Sequence, residues 1–444
     1  MYNYFTKSLI RGKNTSSSQN ILFWAIFLLI LSRTWGFVFT KTVVASVAMV
    51  YVSYISIFLL FFLVLTQIQN KITGLVAGCL PFMLVTMLDY ALFHTNFEMM
   101  TYWFATIVLI LVASKGNIKK ATPYKLIFWS AFVAMIGVYF QWFFLPVFNA
   151  RVAPLFHVDA IDFIKDAYGM RGFTPQQGTT SVILIFGEIV ILYLREKALP
   201  KIFHNNIAYW LLIVLLIGSI FLTGKRTIAA LSLAIPLVIY LLSSGRGMHR
   251  VLRLFAVAGI LVLGYELLPY LSQSSEFYSI QRFSLTVEQL QSGEDVISVR
   301  EYLWDAAIKA FHENPIFGIG VGKFGAYTNL GTDTHNTYLQ VLCEQGIIGF
   351  ILYILGIICC LFHSIRALDI VHDLENRNII QAALGMQLVF ILYALTGNVN
   401  IDIDVIYFYL ATALIIQIET IDIKQFNFRK LRLLFEDRGR KKEI

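Results

Sequence analysis

Apolar runs long enough to cross a bilayer recur along nearly the whole of this chain, and that recurrence decides what it can fold into. A helix needs about 20 apolar residues to traverse the hydrocarbon core. Twelve such runs centre near residues 28, 54, 82, 107, 134, 186, 215, 235, 262, 350, 388 and 412. The run at 100–113 is short and needs its flanks to cross. Inside lipid every backbone N–H and C=O must find a partner within the protein, which leaves helices for runs of this length. The expected architecture is an all-α polytopic membrane protein of about 12 transmembrane helices. Composition agrees: 58% of the 444 residues are hydrophobic, 14% are charged, and the mean hydropathy is +0.70. Such values exclude an ordinary soluble domain. The first run ends against Arg33 with no small-residue cleavage site after it, so it reads as a retained span.

Basic residues set the orientation, because Lys and Arg collect on the cytoplasmic side. With the N-terminus inside, 24 of the 35 Lys and Arg fall in inner segments and 11 outside. The segments 115–120 (KGNIKK) and 246–253 (RGMHRVLR) are the clearest inner anchors. Both termini are then cytoplasmic, and the basic tail 428–444 faces anionic headgroups; no nucleic-acid partner is expected. The chain divides into residues 1–271, nine spans with an outer loop at 146–178; 272–337, a long outer loop; and 338–444, three spans and the tail. Cys79, Cys343, Cys359 and Cys360 all lie in apolar runs without metal spacing and are expected to be packing residues.

The long loop carries the chemistry. It holds four basic residues against eight acidic ones, so its cations stand out. Residues 298–315 (SVREYLWDAAIKAFHENP) read as a helix with an S-x-x-E capping box at Ser298 and Glu301 and a closing Pro315. Arg300 falls in its first turn, where free N–H groups and the helix dipole favour an anion. Next, 318–324 (GIGVGKF) reads as a flexible turn at the membrane surface, since it lacks the strand and lysine spacing of a nucleotide loop. His335 stands where the polar loop meets an apolar helix. On a continuous helix Leu339, Leu342, Gly346 and Gly349 return to its face, and the two glycines admit a neighbouring helix. A helix-start histidine bonded to a carbonyl is the plain alternative. Arg226, beside Lys225, and Arg171 lie at outer ends of spans, where a snorkelling or surface arginine is the ordinary expectation. Asp402 and Asp404 read as a short outer turn, with no third ligand for a metal, and Glu344 lies about 180° around the helix from His335.

Taken together, THNTYLQVLCEQGIIG (334–349) with its His-x10-Gly spacing, SVREYLWDAAIKAFHENPIFGIGVGKF (298–324), LTGKRTIAALSL (222–233) and, more loosely, MRGFTPQQGTTSVIL (170–184) resemble the O-antigen ligase and Wzy-type polysaccharide polymerase superfamily. The resemblance covers about residues 165–355. It implies a GT-C-like, metal-independent, inverting glycosyltransferase of the bacterial inner membrane, with its active site facing the periplasm and no cofactor. The donor would be a glycan on undecaprenyl diphosphate. Arg226, Arg300 and Arg171 would bind the diphosphate, and His335 would act as general base on an acceptor sugar hydroxyl. The acceptor is a second lipid-linked repeat for a polymerase, the expected activity, or lipid A–core for a ligase. A chain-length regulator is a candidate partner. The non-enzyme alternative, a lipid-linked glycan flippase or other transporter, predicts internal repeats and broken helices with charges near the midplane.

Overall fold

The computed structural model describes residues 20–31 except 22, 51–59 except 53, 74–93, 97–113, 121–156, 169–242 except 175, 298–399 except 372, and six positions between 406 and 415. All regular elements among these residues are helical. The longer ones are α1 (Gly74–Phe93), α2 (Phe97–Ala113), α3 (Ala121–Phe143), α4 (Gln177–Tyr193), α5 (Asn206–Leu222), α6 (Arg226–Leu242), α7 (Ser298–Glu313), α8 (Thr337–Ile370) and α9 (Leu374–Tyr393). They coincide with the runs centred near 82, 107, 134, 186, 215, 235, 350 and 388. The runs near 28, 54 and 412 are described in part, and the run near 262 lies outside the described residues, as do Asp402 and Asp404.

Among the described residues two helices, Pro123–Phe143 and Thr337–Leu368, are long and apolar enough to cross a membrane. Gly78–Leu92, Gln177–Tyr193, Asn206–Leu222 and Arg226–Leu241 are shorter apolar helices. Large apolar side chains point away from the bundle as well as into it. On α5, Leu212 and Leu216 are buried while Ile207 and Val214 are exposed, which is the pattern of a helix with lipid on one side. Helix starts are fixed by side chains: Asn205, Asn336 and Asp373 accept from the first backbone N–H groups of α5, α8 and α9.

Small residues let the helices close up, as expected where lipid gives no hydrophobic drive between them. A Cβ at Gly187 of α4 would collide with the Ala131 side chain of α3. Gly385 of α9 seats against Ile239 of α6 and Ile189 of α4. Gly78 and Gly356 bring α1 and α8 together, with Cys79 Sγ 3.3 Å from Cys360 Sγ. The order of contacts shows that α1 and α8 run antiparallel, since Thr86 meets Gln345 while Cys79 meets Gly356 and Cys360.

This packing brings many helix ends to one side. Arg171 and Gly172 donate backbone N–H groups to Gln141 Oε1 at the end of α3 (both 2.8 Å). Met170 N–H reaches the Leu222 carbonyl at the end of α5 (2.8 Å). Thr396 Oγ1 meets Thr227 Oγ1 (3.1 Å), joining the end of α9 to the start of α6. Thr337 N–H donates to the Ala394 carbonyl (2.8 Å), joining the start of α8 to the end of α9. The candidate site lies here.

Candidate active site

His335 is not on a helix. Asn336 caps α8, whose first residue is Thr337, and His335 sits before the cap with φ +54°. A left-handed residue other than glycine is uncommon and is held only when its surroundings over-determine it. Here the neighbours do so. Thr334 is fully buried: its N–H donates to Gln340 Oε1 (2.9 Å), its hydroxyl donates to the Asn336 carbonyl (2.7 Å), and its carbonyl accepts Trp304 Nε1–H (3.1 Å). Thr337 is equally buried; its hydroxyl donates to the Gly397 carbonyl (2.7 Å) and accepts Val399 N–H (3.0 Å). With 334 and 337 pinned, the imidazole is left exposed between them.

The expected face of Leu339, Leu342, Gly346 and Gly349 beneath His335 is therefore corrected, because no helix runs continuously from 335 to 349. Gly346 has φ +63° and breaks α8. The glycine-rich segment is not a flexible turn either. Ile319 and Gly320 donate N–H groups to the Cys343 and Glu344 carbonyls (3.0 and 2.9 Å), and Ile347 and Ile348 N–H groups go to the Pro315 and Ile316 carbonyls (2.9 and 3.5 Å). In an unbroken helix residues 347 and 348 would bond to 343 and 344. The strap 315–320 replaces those two hydrogen bonds with four of its own. Gly318, at φ +71°, lies against the Glu344 carbonyl, and Gly346 lies against the Ile316 carbonyl. A Cβ at either position would collide with backbone.

The strap fixes α7, and α7 carries Arg300. The predicted helix runs from Ser298 to Glu313, with Arg300 exposed in its first turn and Leu303, Ala307 and Ala310 buried with Phe324 and Cys343. One turn on from Arg300, Trp304 makes the bond to Thr334. Arg226 is the first residue of α6, and Lys225 precedes it; both are half-buried. Arg226 and Arg300 thus each stand at a helix N-terminus, where dipole and guanidinium favour the same anion.

Charge at the site acts on His335. Its pKa is lowered from the ordinary imidazole value, first by partial desolvation, then by the Arg300 and Lys225 cations, with Asp333 acting the other way. Lys225, adjacent to the expected Arg226, thus takes part in the site electrostatics; the pairing of 394–399 with both Thr227 and Thr337 that brings it in is not legible from local sequence.

Arg171 sits lower. It is 2% exposed, with its guanidinium over the Phe156 ring at 5.2 Å. Thr180 Oγ1 donates to its carbonyl (2.6 Å), and burial brings its pKa down to about 10, which still leaves it cationic at neutral pH. Its loop packs directly beneath the turn that leads to Arg226: Gly169 lies against the Thr223 carbonyl. Arg300 and Lys225 are close enough to act on His335, while Arg171 lies at the same end but inside the packing. Glu344, for which the sequence offered only a position about 180° from His335 on a continuous helix, accepts Phe324 N–H (3.1 Å).

Among the described residues the protein is thus a helical bundle with a histidine and several cations at one end. Residues 211–354 match the family model described as O-antigen ligase, a stretch that contains Lys225, Arg226, Arg300 and His335. The match makes that stretch similar to O-antigen ligases and covers less than half of the chain. An uncharacterized protein of Haemophilus influenzae is 22% identical over 217 residues, 46% of this chain. The match spans 53% of that relative, about half its length.

Proposed function

We propose that the protein transfers a glycan from undecaprenyl diphosphate to an acceptor sugar hydroxyl on the periplasmic face of the inner membrane. The observation that carries this reading is the placement of exposed His335 under the influence of Arg300 and Lys225. A sugar hydroxyl is a poor nucleophile until a base removes its proton, and His335 is held in the neutral state that accepts one. As the hydroxyl oxygen bonds to the anomeric carbon, the bond to diphosphate breaks and negative charge builds on the leaving group. Arg226 and Arg300 meet that charge with guanidinium groups and helix N-termini together. Arg171 adds a third positive charge from beneath the surface. Attack opposite the diphosphate inverts the anomeric centre, and the residues assigned need no metal for this step.

The favoured acceptor is a second lipid-linked repeat, making the protein an O-antigen or surface-polysaccharide polymerase. Transfer to lipid A–core is the second reading, favoured by the description of the matched family as O-antigen ligase. A deletion strain separates them. Single repeats on core identify a lost polymerase, and free lipid-linked polymer a lost ligase. An unaltered surface glycan overturns both. A transporter is less well supported. The break in α8 is the feature that class predicts, but here the strap takes up its carbonyls, so no open backbone is offered to a passing solute.

A further inference from the structure

Two buried carboxyl groups outside the reacting centre, one on α1 and one on α8, accept backbone N–H groups just after the strap. Asp89, 9% exposed near the end of α1, accepts Val321 N–H at Oδ2 (3.2 Å). Glu344, 5% exposed just before the break in α8, accepts Phe324 N–H at Oε1 (3.1 Å). A carboxyl group inside an apolar helix is costly and needs a reason to be there. Leucine would satisfy helix packing, but only an acceptor reaches N–H groups that this segment leaves without a helix or strand partner. These bonds fall immediately after the four that splice 315–320 into α8. The splice and Glu344 tie the segment after α7, which bears Arg300, to α8, and Asp89 ties it to α1.

We propose that Glu344 and Asp89 are positioning residues, which grip the backbone of 321–324 and so hold Arg300 at its working distance from His335. This rests on the roles of Arg300 and His335 argued above. The diphosphate must sit between a cation on α7 and the acceptor beside His335, and a shift of about 1 Å in such a constellation can cost on the order of a hundredfold in rate. The strap is the shortest covalent route from one to the other, and the two carboxyl groups remove its freedom to slide.

The test uses the full-length protein in proteoliposomes, with two independent readouts. The first is trypsin cleavage after Lys323, the peptide bond whose N–H is bound by Glu344, followed by mass spectrometry. The second is transfer kinetics with the lipid-linked glycan that accumulates in cells lacking the protein. Glu344→Leu and Asp89→Leu should each speed cleavage at Lys323 and raise the donor KM about tenfold or more. Loss of folded protein alone would lower Vmax at unchanged KM. Glu344→Gln keeps a carbonyl oxygen for Phe324 N–H and should stay within about threefold of the parent in both readouts. The proposal is overturned if the leucine variants are as resistant to trypsin as the parent, if they are cut faster at unchanged KM, or if Glu344→Gln behaves as Glu344→Leu. Absence of transfer by the parent protein would refute the functional reading, and the trypsin arm would still show whether the clamp exists.

Discussion

A histidine that must accept a proton works only while its imidazole is neutral, and Arg300 and Lys225 both act to keep His335 so. Because its pKa lies below the ordinary value, the neutral form persists to lower pH than for a free imidazole, and the acid limb of kcat/KM should lie correspondingly low. Removing a cation raises that pKa. Lys225→Met should therefore shift the acid limb to higher pH, whereas Asp333→Asn should shift it lower; a profile unmoved by either change would separate the limb from His335. Replacement of His335 by Ala should lower turnover by roughly 10²–10⁴ with the protein still inserted, and Gln should be nearly as inactive. If Gln retains most of the rate from pH 6 to 8, the residue only orients the acceptor and the base lies elsewhere. Arg300→Ala and Arg226→Ala should abolish product, and Lys should rescue partly, since an ammonium cannot make the bidentate contact. At this scale much was legible: His335, Arg226 and Arg300 stand out as ionisable groups at apolar boundaries. The left-handed backbone of His335 was not, because it is imposed by bonds from Trp304, Ala394, Gly397 and Val399, which lie 31 or more positions away.

Among the elements, the spliced region of α8 carries the sharpest expectation. Alanine at Gly346 must adopt φ near +63° and collide with the Ile316 carbonyl. The backbone strain alone costs about 1–3 kcal/mol. Gly346→Ala should therefore lower the unfolding temperature in detergent, and Gly318→Ala should do the same through the Glu344 carbonyl. Gly331, also at positive φ but with nothing within 4 Å of an added Cβ, is the control: alanine there adds no collision. An unchanged transition in Gly346→Ala would mean that the break can close into regular helix. Periodicity places apolar residues on faces but says nothing about who accepts a hydrogen bond, so Gly346 read as a packing notch when it is a discontinuity. The helix 298–313 was legible because its pattern and the closing Pro315 are local. The strap was not, because its partners come from α1 and α8.

For the whole molecule, hydropathy located the helices because a span is the one element whose length and composition the solvent dictates. The same averaging hid Asp89 and Glu188, each a single carboxyl diluted among apolar neighbours and each buried. The handedness of charge along the chain predicts that a reporter fused after Lys442 is active only in its cytoplasmic form. Alkaline phosphatase activity from that fusion would reverse the end of the chain. A further consequence follows from the splice in α8. Residues 315–320 leave the ribosome before 343–348, so the seat is synthesised after the strap that fills it. The helix break is completed only when the later segment arrives and exchanges its own ladder bonds for those of a strap already waiting. A nascent chain stalled between 324 and 343 therefore carries the Arg300 helix without the α8 residues on which it packs.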